Sequence, residues 1–241
     1  VADVSRIGLI GDVHAEHRRL DSALSFLTGS GVDVIACTGD IADGPGSIDI
    51  CLRLLAESNA LVVAGNHDRW LLEDRVRDVP HAHRREQLST SGRRYLEGLP
   101  TTTSLATPLG DALLCHGVGD NDLRKVWPGS ARMAPERSHE LDAVIDSNST
   151  RLVLNGHLHY RVIVNFESLT LINAGTLKGE HRPGISILDL AQNTVTAFEF
   201  TSTLALHVVA ERRVHGDNDR RVWRDTQEFD GHWQPVTLYA S

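Results

Sequence analysis

The stretch "IGLIGDVH", Ile7 to His14, sets the reading of the whole chain. Four apolar-run residues without polar alternation end abruptly at Gly11-Asp12, and a histidine follows two positions later. A short, near-continuous apolar run suits a strand buried on both faces. Immediately after it, in "HRRLDSALSFL", Leu20, Ala23, Leu24 and Leu27 recur at helical spacing, and Gly29 and Gly31 stop the helix. The unit then repeats. "VDVIACTGD" (32–40) ends at Gly39-Asp40 and leads through a Gly/Pro turn into a helix with Ile48, Cys51, Leu52 and Leu55 on one face. "ALVVAG" (60–65) ends at Asn66-His67-Asp68. Three such strand–helix units predict an α/β fold whose parallel sheet is covered on both faces.

Residues 69–104 are polar and helix-like, bracketed by Pro80 and Pro100, and carry no strand signal. They read as a helical excursion over the sheet edge, near the rim of any site there. Strand-like runs resume at 112–117, 151–157, 169–175, 184–190 and 194–200, with one helix at roughly 135–147. The first domain therefore spans 1–200. Residues 201–241 form an extension in which "HVVAERRVHGDNDRRVWRDT" reads as two charged, alternating arms around a Gly216–Asp219 turn, a hairpin packed on the domain. The arginines at 212, 213, 220, 221 and 224 are interleaved with acids and read as a solvated ribbon, while Trp223 and Trp233 favour a packed role. The extension is also the expected edge for any homo-oligomer.

Bulk properties narrow the function. The 241 residues carry a net charge of −8, which argues against a protein held to nucleic acid by bulk charge but leaves a nucleotide substrate open. No apolar stretch approaches the ~20 residues that span a bilayer. The opening residues lack a basic segment followed by an apolar one, and the three cysteines are odd in number and unclustered. Cys37 and Cys115 sit in apolar runs and read as small core residues. A cytoplasmic protein without a disulfide framework is the expectation.

Five apolar runs end in glycine beside metal-capable side chains: Gly11-Asp12-Val13-His14, Gly39-Asp40, Gly65-Asn66-His67-Asp68, Cys115-His116-Gly117 and Gly156-His157-Leu158-His159. Sites in open α/β sheets form at the carboxyl ends of strands. If these strands are neighbours, Asp12, His14, Asp40, Asn66, His116, His157 and His159 share one crevice. Two carboxylates, an amide oxygen and four imidazoles are too many for one tetrahedral zinc with an open position. They suit two divalent ions sharing Asp40 as a bridge, about 3.5–4 Å apart. Mixed N/O donors without thiolate favour Mn, Fe, Zn, Co or Ni over Ca or Mg alone. The plainer readings are that Asp12 and Asp40 are helix N-caps, Asn66 a turn residue and the histidine pair a half-exposed strand; a cap explains one oxygen apiece but not the imidazoles. His17, His81, His83, His139, His181, His207, His215 and His232 show no such placement and read as surface or loop residues.

The order "GDVH…GD…GNHD…H…GHLH" resembles the calcineurin-like metallophosphoesterase superfamily over residues 5 to 200. The resemblance implies a four-layer α-β-β-α sandwich of two mixed sheets. It implies Asp12, His14 and His159 on one metal, Asn66, His116 and His157 on the other, Asp40 between them, and Mn as the first candidate for both ions. It also implies phosphoester hydrolysis in which a metal-bridging hydroxide attacks phosphorus in line. His67, left without a metal role, is then the candidate to protonate the leaving alkoxide or to hydrogen-bond the phosphate. Asp43 and Asp68 are both candidates to orient it.

Two branches of that family compete. "GDIADG" keeps Asp43 but has Gly44 where the protein Ser/Thr phosphatases carry a phosphate-clamping arginine. The Gly-Pro turn and "INAG…GISILDL" look more like the small bacterial and archaeal phosphodiesterases. A phosphodiesterase acting on a small phosphoester is the expectation, with a phosphomonoesterase or protein phosphatase as the alternative. A non-catalytic scaffold, like the retromer subunit that shares this fold with degraded catalytic positions, is the remote one. Asn173-Ala174-Gly175-Thr176 reads as a strand-ending turn, with a substrate-side backbone role as the lesser possibility.

Overall fold

A computed structural model describes residues 4–127, 138–166, 168–215 and 236–239. Strand β1 (Arg6–Ile10) pairs in parallel with β2 (Val34–Cys37), and β2 in parallel with β3 (Leu61–Val62). Between them run helices α1 (His17–Gly29) and α2 (Ile48–Glu57). α1 buries Leu20, Ala23, Leu24 and Leu27, and α2 buries Ile48, Cys51, Leu52 and Leu55, the faces their spacing predicts. Ser47 caps α2, its side chain accepting the Ile50 N–H. α3 (Asn66–Leu72) starts at the third strand tip, and α4 (Thr90–Glu97) packs against α2 and α3.

The second half supplies β4 (Thr102–Thr107), β5 (Gly110–Cys115), α5 (His139–Ser147), β6 (Thr150–Asn155), β7 (Val162–Asn165), β8 (Thr170–Asn173), β9 (Gly184–Asp189), β10 (Thr194–Phe200), β11 (Leu206–Arg213) and β12 (Val236–Thr237). Among the described residues they complete two six-stranded sheets, ordered β11-β10-β9-β1-β2-β3 and β12-β7-β8-β6-β5-β4. Both are mixed: β9, β10 and β11 run antiparallel to their neighbours in the first, and β5, β6 and β8 are parallel within the second.

Strand periodicity builds three cores from these sheets. Ile10, Ile35, Cys37 and Ile185 face α1 and α2. Ile7, Leu9, Ala36 and Leu188 point the other way, onto Ala112, Leu114, Leu152, Leu154 and Ile172 of the second sheet. Leu171, Val153 and Cys115 face outward to Leu141 and Ile145 of α5. The layers are therefore α-β-β-α, as the motif resemblance implies. The first three strands run in parallel and are covered on both faces, as their apolar runs predict, by helices on one side and a second sheet on the other; the sheet they open is mixed rather than wholly parallel.

Three further expectations change. Residues 69–104 are not free of strand: β4 begins at Thr102 and forms a hairpin with β5. It is a threonine-rich edge strand with only Leu105 and Thr107 buried, so its alternation is faint. β7 follows directly on the histidine pair and escapes notice between two stronger runs. The first charged arm of the extension, β11, pairs antiparallel with β10, a partner its own alternation does not name. The Gly216–Asp219 turn, the second arm with its arginines at 220, 221 and 224, Trp223 and Trp233 lie outside the described residues, as do the first residues of the 135–147 helix. All three cysteines are free and buried. Among the described residues no helix is long and apolar enough to cross a membrane.

Candidate metal centre

The strand tips converge where the two sheets meet. Asp12 follows β1, Asp40 follows β2 and Asn66 opens α3 after β3, all from the first sheet. His116 follows β5, and His157 and His159 follow β6, from the second. Asp12, Asp40, Asn66 and His116 are 0–1% exposed. Such burial of two carboxylates demands positive charge close by.

The donors fall into two groups. The ligand atoms of Asp12, His14 and His159 lie within 4.8 Å of one another, and so do those of Asp40, His116 and His157. Nε2 of His14 stands 2.9 Å from Nε2 of His159, which is 3.2 Å from Asp12 Oδ2. Nε2 of His116 stands 3.2 Å from Asp40 Oδ2, 3.0 Å from Asn66 Oδ1 and 3.2 Å from His157 Nδ1. All seven expected ligands are thus brought together.

The second nitrogen of each inner histidine settles what these contacts need. His14 Nδ1 faces only the carbonyl oxygens of Ala42 and Asp43, at 3.1 and 3.0 Å, so it carries a proton and donates. His116 Nδ1 likewise donates to Thr38 O at 2.7 Å. In the neutral ring, each Nε2 is then a lone pair aimed into its donor set. A cation between the donors satisfies both sets at once, with the carbonyls acting as the outer contacts that orient ligating imidazoles. The residues present fit divalent metals.

Electrostatics agrees. Burial opposes charge on Asp12 and Asp40, yet His116 holds both carboxyls below the usual range. Burial also opposes charge on His116, but Asp40 and Asp12 push its imidazolium up to about 10. Burial and then His116 push His157 down to about 4, and burial lowers His14. The two carboxylates attract any cation, proton or metal, into their midst.

Local backbone conformation is unusual here. His14, Asp40, Asp43, His157 and His159 all have positive φ, between 44° and 69°. Such conformations cost non-glycine residues on the order of 1–3 kcal/mol each and cluster at functional sites. Asp12 accepts the His157 N–H through both oxygens, at 3.1 and 2.9 Å. A Cβ at Gly156 would overlap Asp12 Oδ1, so only glycine lets the second sheet's loop press onto that carboxylate.

Of the two carboxylates expected as candidates to orient His67, Asp43 makes the contact. Its Oδ2 lies 2.6 Å from His67 Nδ1, and Nε2 on the far side of the ring faces Asp40 Oδ2 at 4.0 Å. Burial lowers the His67 pKa, but the bond to Asp43 and the charge of Asp40 outweigh it and raise it. Asp68 instead spends both oxygens on main chain, accepting from Ile41, Ala42 and Gly65 at 2.8, 3.0 and 2.9 Å. It clasps the loop after β2 to the start of α3. Burial, then Asp40, pushes its carboxyl up to about 7.

Three supports escaped the sequence reading. His83, expected on the surface, is buried; its main-chain N–H donates to Asp43 Oδ1 at 2.7 Å and its Nδ1 accepts from Asp43 N at 2.9 Å. His181 sits with Nδ1 2.7 Å from Nδ1 of His159. Both come from polar loops with no local pattern. His17, also expected without a role, accepts the Ser47 N–H at 3.1 Å. The turn at 173–176 is a buttress: Asn173 is fully buried, donating to Asn155 Oδ1 and Gly156 O, and Thr176 Oγ1 donates to Asp12 O at 2.7 Å.

The sequence profile of the calcineurin-like phosphoesterase superfamily domain matches residues 6–193. A protein of Methanocaldococcus jannaschii, MJ0912, is 34% identical over 68 residues, 28% of either chain, so the match spans about a quarter of that relative's length. A metallophosphoesterase from Sphaerobacter thermophilus superposes with a TM-score of 0.57 at 22% identity, over 87% of this chain and 90% of that one. An archaeal phosphodiesterase superposes with a TM-score of 0.52 at 17% identity, over 81% of this chain and 99% of that one. At these identities the superpositions speak for the fold.

Proposed function

The chain belongs to the calcineurin-like phosphoesterase superfamily, a family of metal-dependent phosphoester hydrolases, and on that premise we propose that it hydrolyses a small phosphodiester with two divalent metal ions, manganese first among them. The observation that carries the reading is the pair of donor sets, each with its ligand atoms within 4.8 Å of one another, flanked by His67 on its Asp43 support.

One set, Asp12, His14 and His159, would hold one ion; Asn66, His116 and His157 would hold the other, with Asp40 shared. When bound, two such ions lower the pKa of water and neutralise charge on phosphoryl oxygens. The protein's own groups supply the remainder. Asp43 fixes the His67 ring and favours its protonated form, in which Nε2–H is directed into the cluster. From there it donates its proton to the departing ester oxygen. The ring of Trp70 meets His67 edge-on, centroids 5.2 Å apart, and limits its swing.

Diesters are favoured over phosphoproteins by what Gly44 excludes. A Cβ there would overlap the carbonyl oxygen of His14, so no side chain at that position can clamp a phosphate. The diesterase reading is tested by offering manganese-loaded protein an aryl phosphodiester, an aryl phosphomonoester and a phosphopeptide. Faster turnover of the diester, abolished by chelation, supports it. Activity on the phosphopeptide alone, or none with any metal, contradicts it.

A further inference from the structure

The cavity above the donor sets holds about 850 Å³ and is richer in cations than a simple diester requires. A diester phosphate brings one negative charge, which two divalent ions already overmatch. Yet Arg77, Lys125 and Arg182 also line the cavity, and Asp40, itself committed to the metal cluster, is the only acid among the described residues that line it. In a chain of net charge −8 this is a strong local reversal of sign.

Two of these cations are mounted on aromatic faces. The Arg182 guanidinium lies 4.5 Å from the centroid of the Tyr239 ring and 3.3 Å from Glu199. Glu199, however, is already 2.7 Å from the buried Arg161, whose guanidinium lies 4.8 Å from the centroid of that same ring. Two guanidiniums share one carboxylate, so a positive charge is left over at the wall. Arg77 lies 4.4 Å from the Trp70 centroid, and among the described residues no carboxylate pairs with it. Stacking holds each planar fork in place and leaves its N–H edges for a ligand. Trp127 lines the same cavity and is 50% exposed, a large apolar face open to a flat partner.

We propose that the substrate is a nucleotide-like phosphodiester, bearing an aromatic ring and a second phosphate in addition to the scissile one. Arg77 and Arg182 are the specificity-determining residues for the second phosphate, and Trp127 takes the ring. This assignment rests on the hydrolase reading above. Neither arginine belongs to a motif, because both lie in polar loops and come to line one cavity only in the folded chain.

The test uses the manganese-loaded full chain and one aryl ester of a nucleoside monophosphate, prepared with and without a second phosphate on its sugar. The second phosphate raises kcat/KM about tenfold or more, chiefly through KM, and Arg77→Ala or Arg182→Ala shrinks that ratio. As a readout independent of turnover, tryptophan fluorescence follows binding of a nucleoside bisphosphate and a nucleoside monophosphate. The bisphosphate binds about tenfold tighter to wild type, and the gap closes in the double variant. Equal kcat/KM and equal affinity for the two ligands, or ratios unchanged in both variants, overturn the assignment. Hydrolysis of bis-aryl phosphate without hydrolysis of either nucleotide ester overturns the substrate class and leaves the hydrolase standing. Failure on all three overturns both.

Discussion

Asp43 holds His67 from the side away from the metal donors: Oδ2 lies 2.6 Å from His67 Nδ1, while Oδ1 accepts the His83 amide at 2.7 Å. One carboxylate thus anchors the ring and is itself anchored by a buried loop histidine. The arrangement is that of a base-orienting pair turned to acid use, since Asp43 and Asp40 both stabilise the protonated ring.

A consequence concerns the leaving group. General acid assistance is worth roughly 10²–10⁴-fold when the departing oxygen is a poor leaving group. His67→Ala therefore lowers kcat on alkyl diesters at least about tenfold more than on nitroaryl diesters, whose oxygens leave without help. Asp43→Asn shifts the two rates in the same direction by less. Equal losses on both ester types contradict the assignment.

Asp68 gives a contrasting expectation. Its three accepted N–H bonds hold two loops together, and asparagine can accept at only one of its two positions. Asp68→Asn destabilises the fold by about 1–3 kcal/mol, read from urea midpoints. The ratio of alkyl to aryl turnover stays that of the wild type. A changed ratio with unchanged stability points back to a role at His67.

Close approach at Gly156 has its own test. Gly156→Ala forces a methyl group onto Asp12 Oδ1 and Thr38 Oγ1. Displacing that carboxylate weakens manganese binding about tenfold or more, measured by calorimetry. Unaltered affinity in a folded variant shows that Asp12 is not held there for metal.

Away from the metals, Glu140 ties α5 to the preceding loop through Asn121, Arg124 and Ser138, at 2.7, 2.8 and 3.1 Å. Burial works to raise its pKa, but its own main-chain N–H, Asn121, Arg124 and Ser138 hold it down to about 2, against 4.5 for a free side chain. Between those values the unfolded chain binds the extra proton, so the contribution to stability is complete above the unfolded value and lost as pH falls toward the folded one. The stability gap between wild type and Glu140→Gln is full above about pH 5 and narrows steadily below it. A gap that is flat with pH contradicts the clasp.

Much of this architecture is written in local pattern. α1 and α2 bury the residues that helical spacing selects, and the five strand tips carry their donors in short Gly-rich motifs that survive as spatial neighbours. What the pattern hides is long-range. β4 is an edge strand whose burial rests on two residues, and β11 turns back onto β10 because Thr201–Ala205 closes that hairpin through main-chain bonds. His83 reaches Asp43 across forty positions, and His181 reaches His159 across twenty-two, each from a loop without periodicity. Asp43 and Asp68 are equally plausible partners of His67 in one dimension. Only the positive φ at Asp43 and the start of α3 at Asn66 send one carboxylate to the ring and the other to the backbone.

The most direct measurement of the central claim is metal stoichiometry at equilibrium, by dialysis against manganese followed by elemental analysis. Donors from both sheets predict two ions per chain for wild type, and a single ion for His159→Ala, whose other donor set is intact. One ion or none bound by the wild type, or two retained by the variant, would contradict a dinuclear site built from these seven residues.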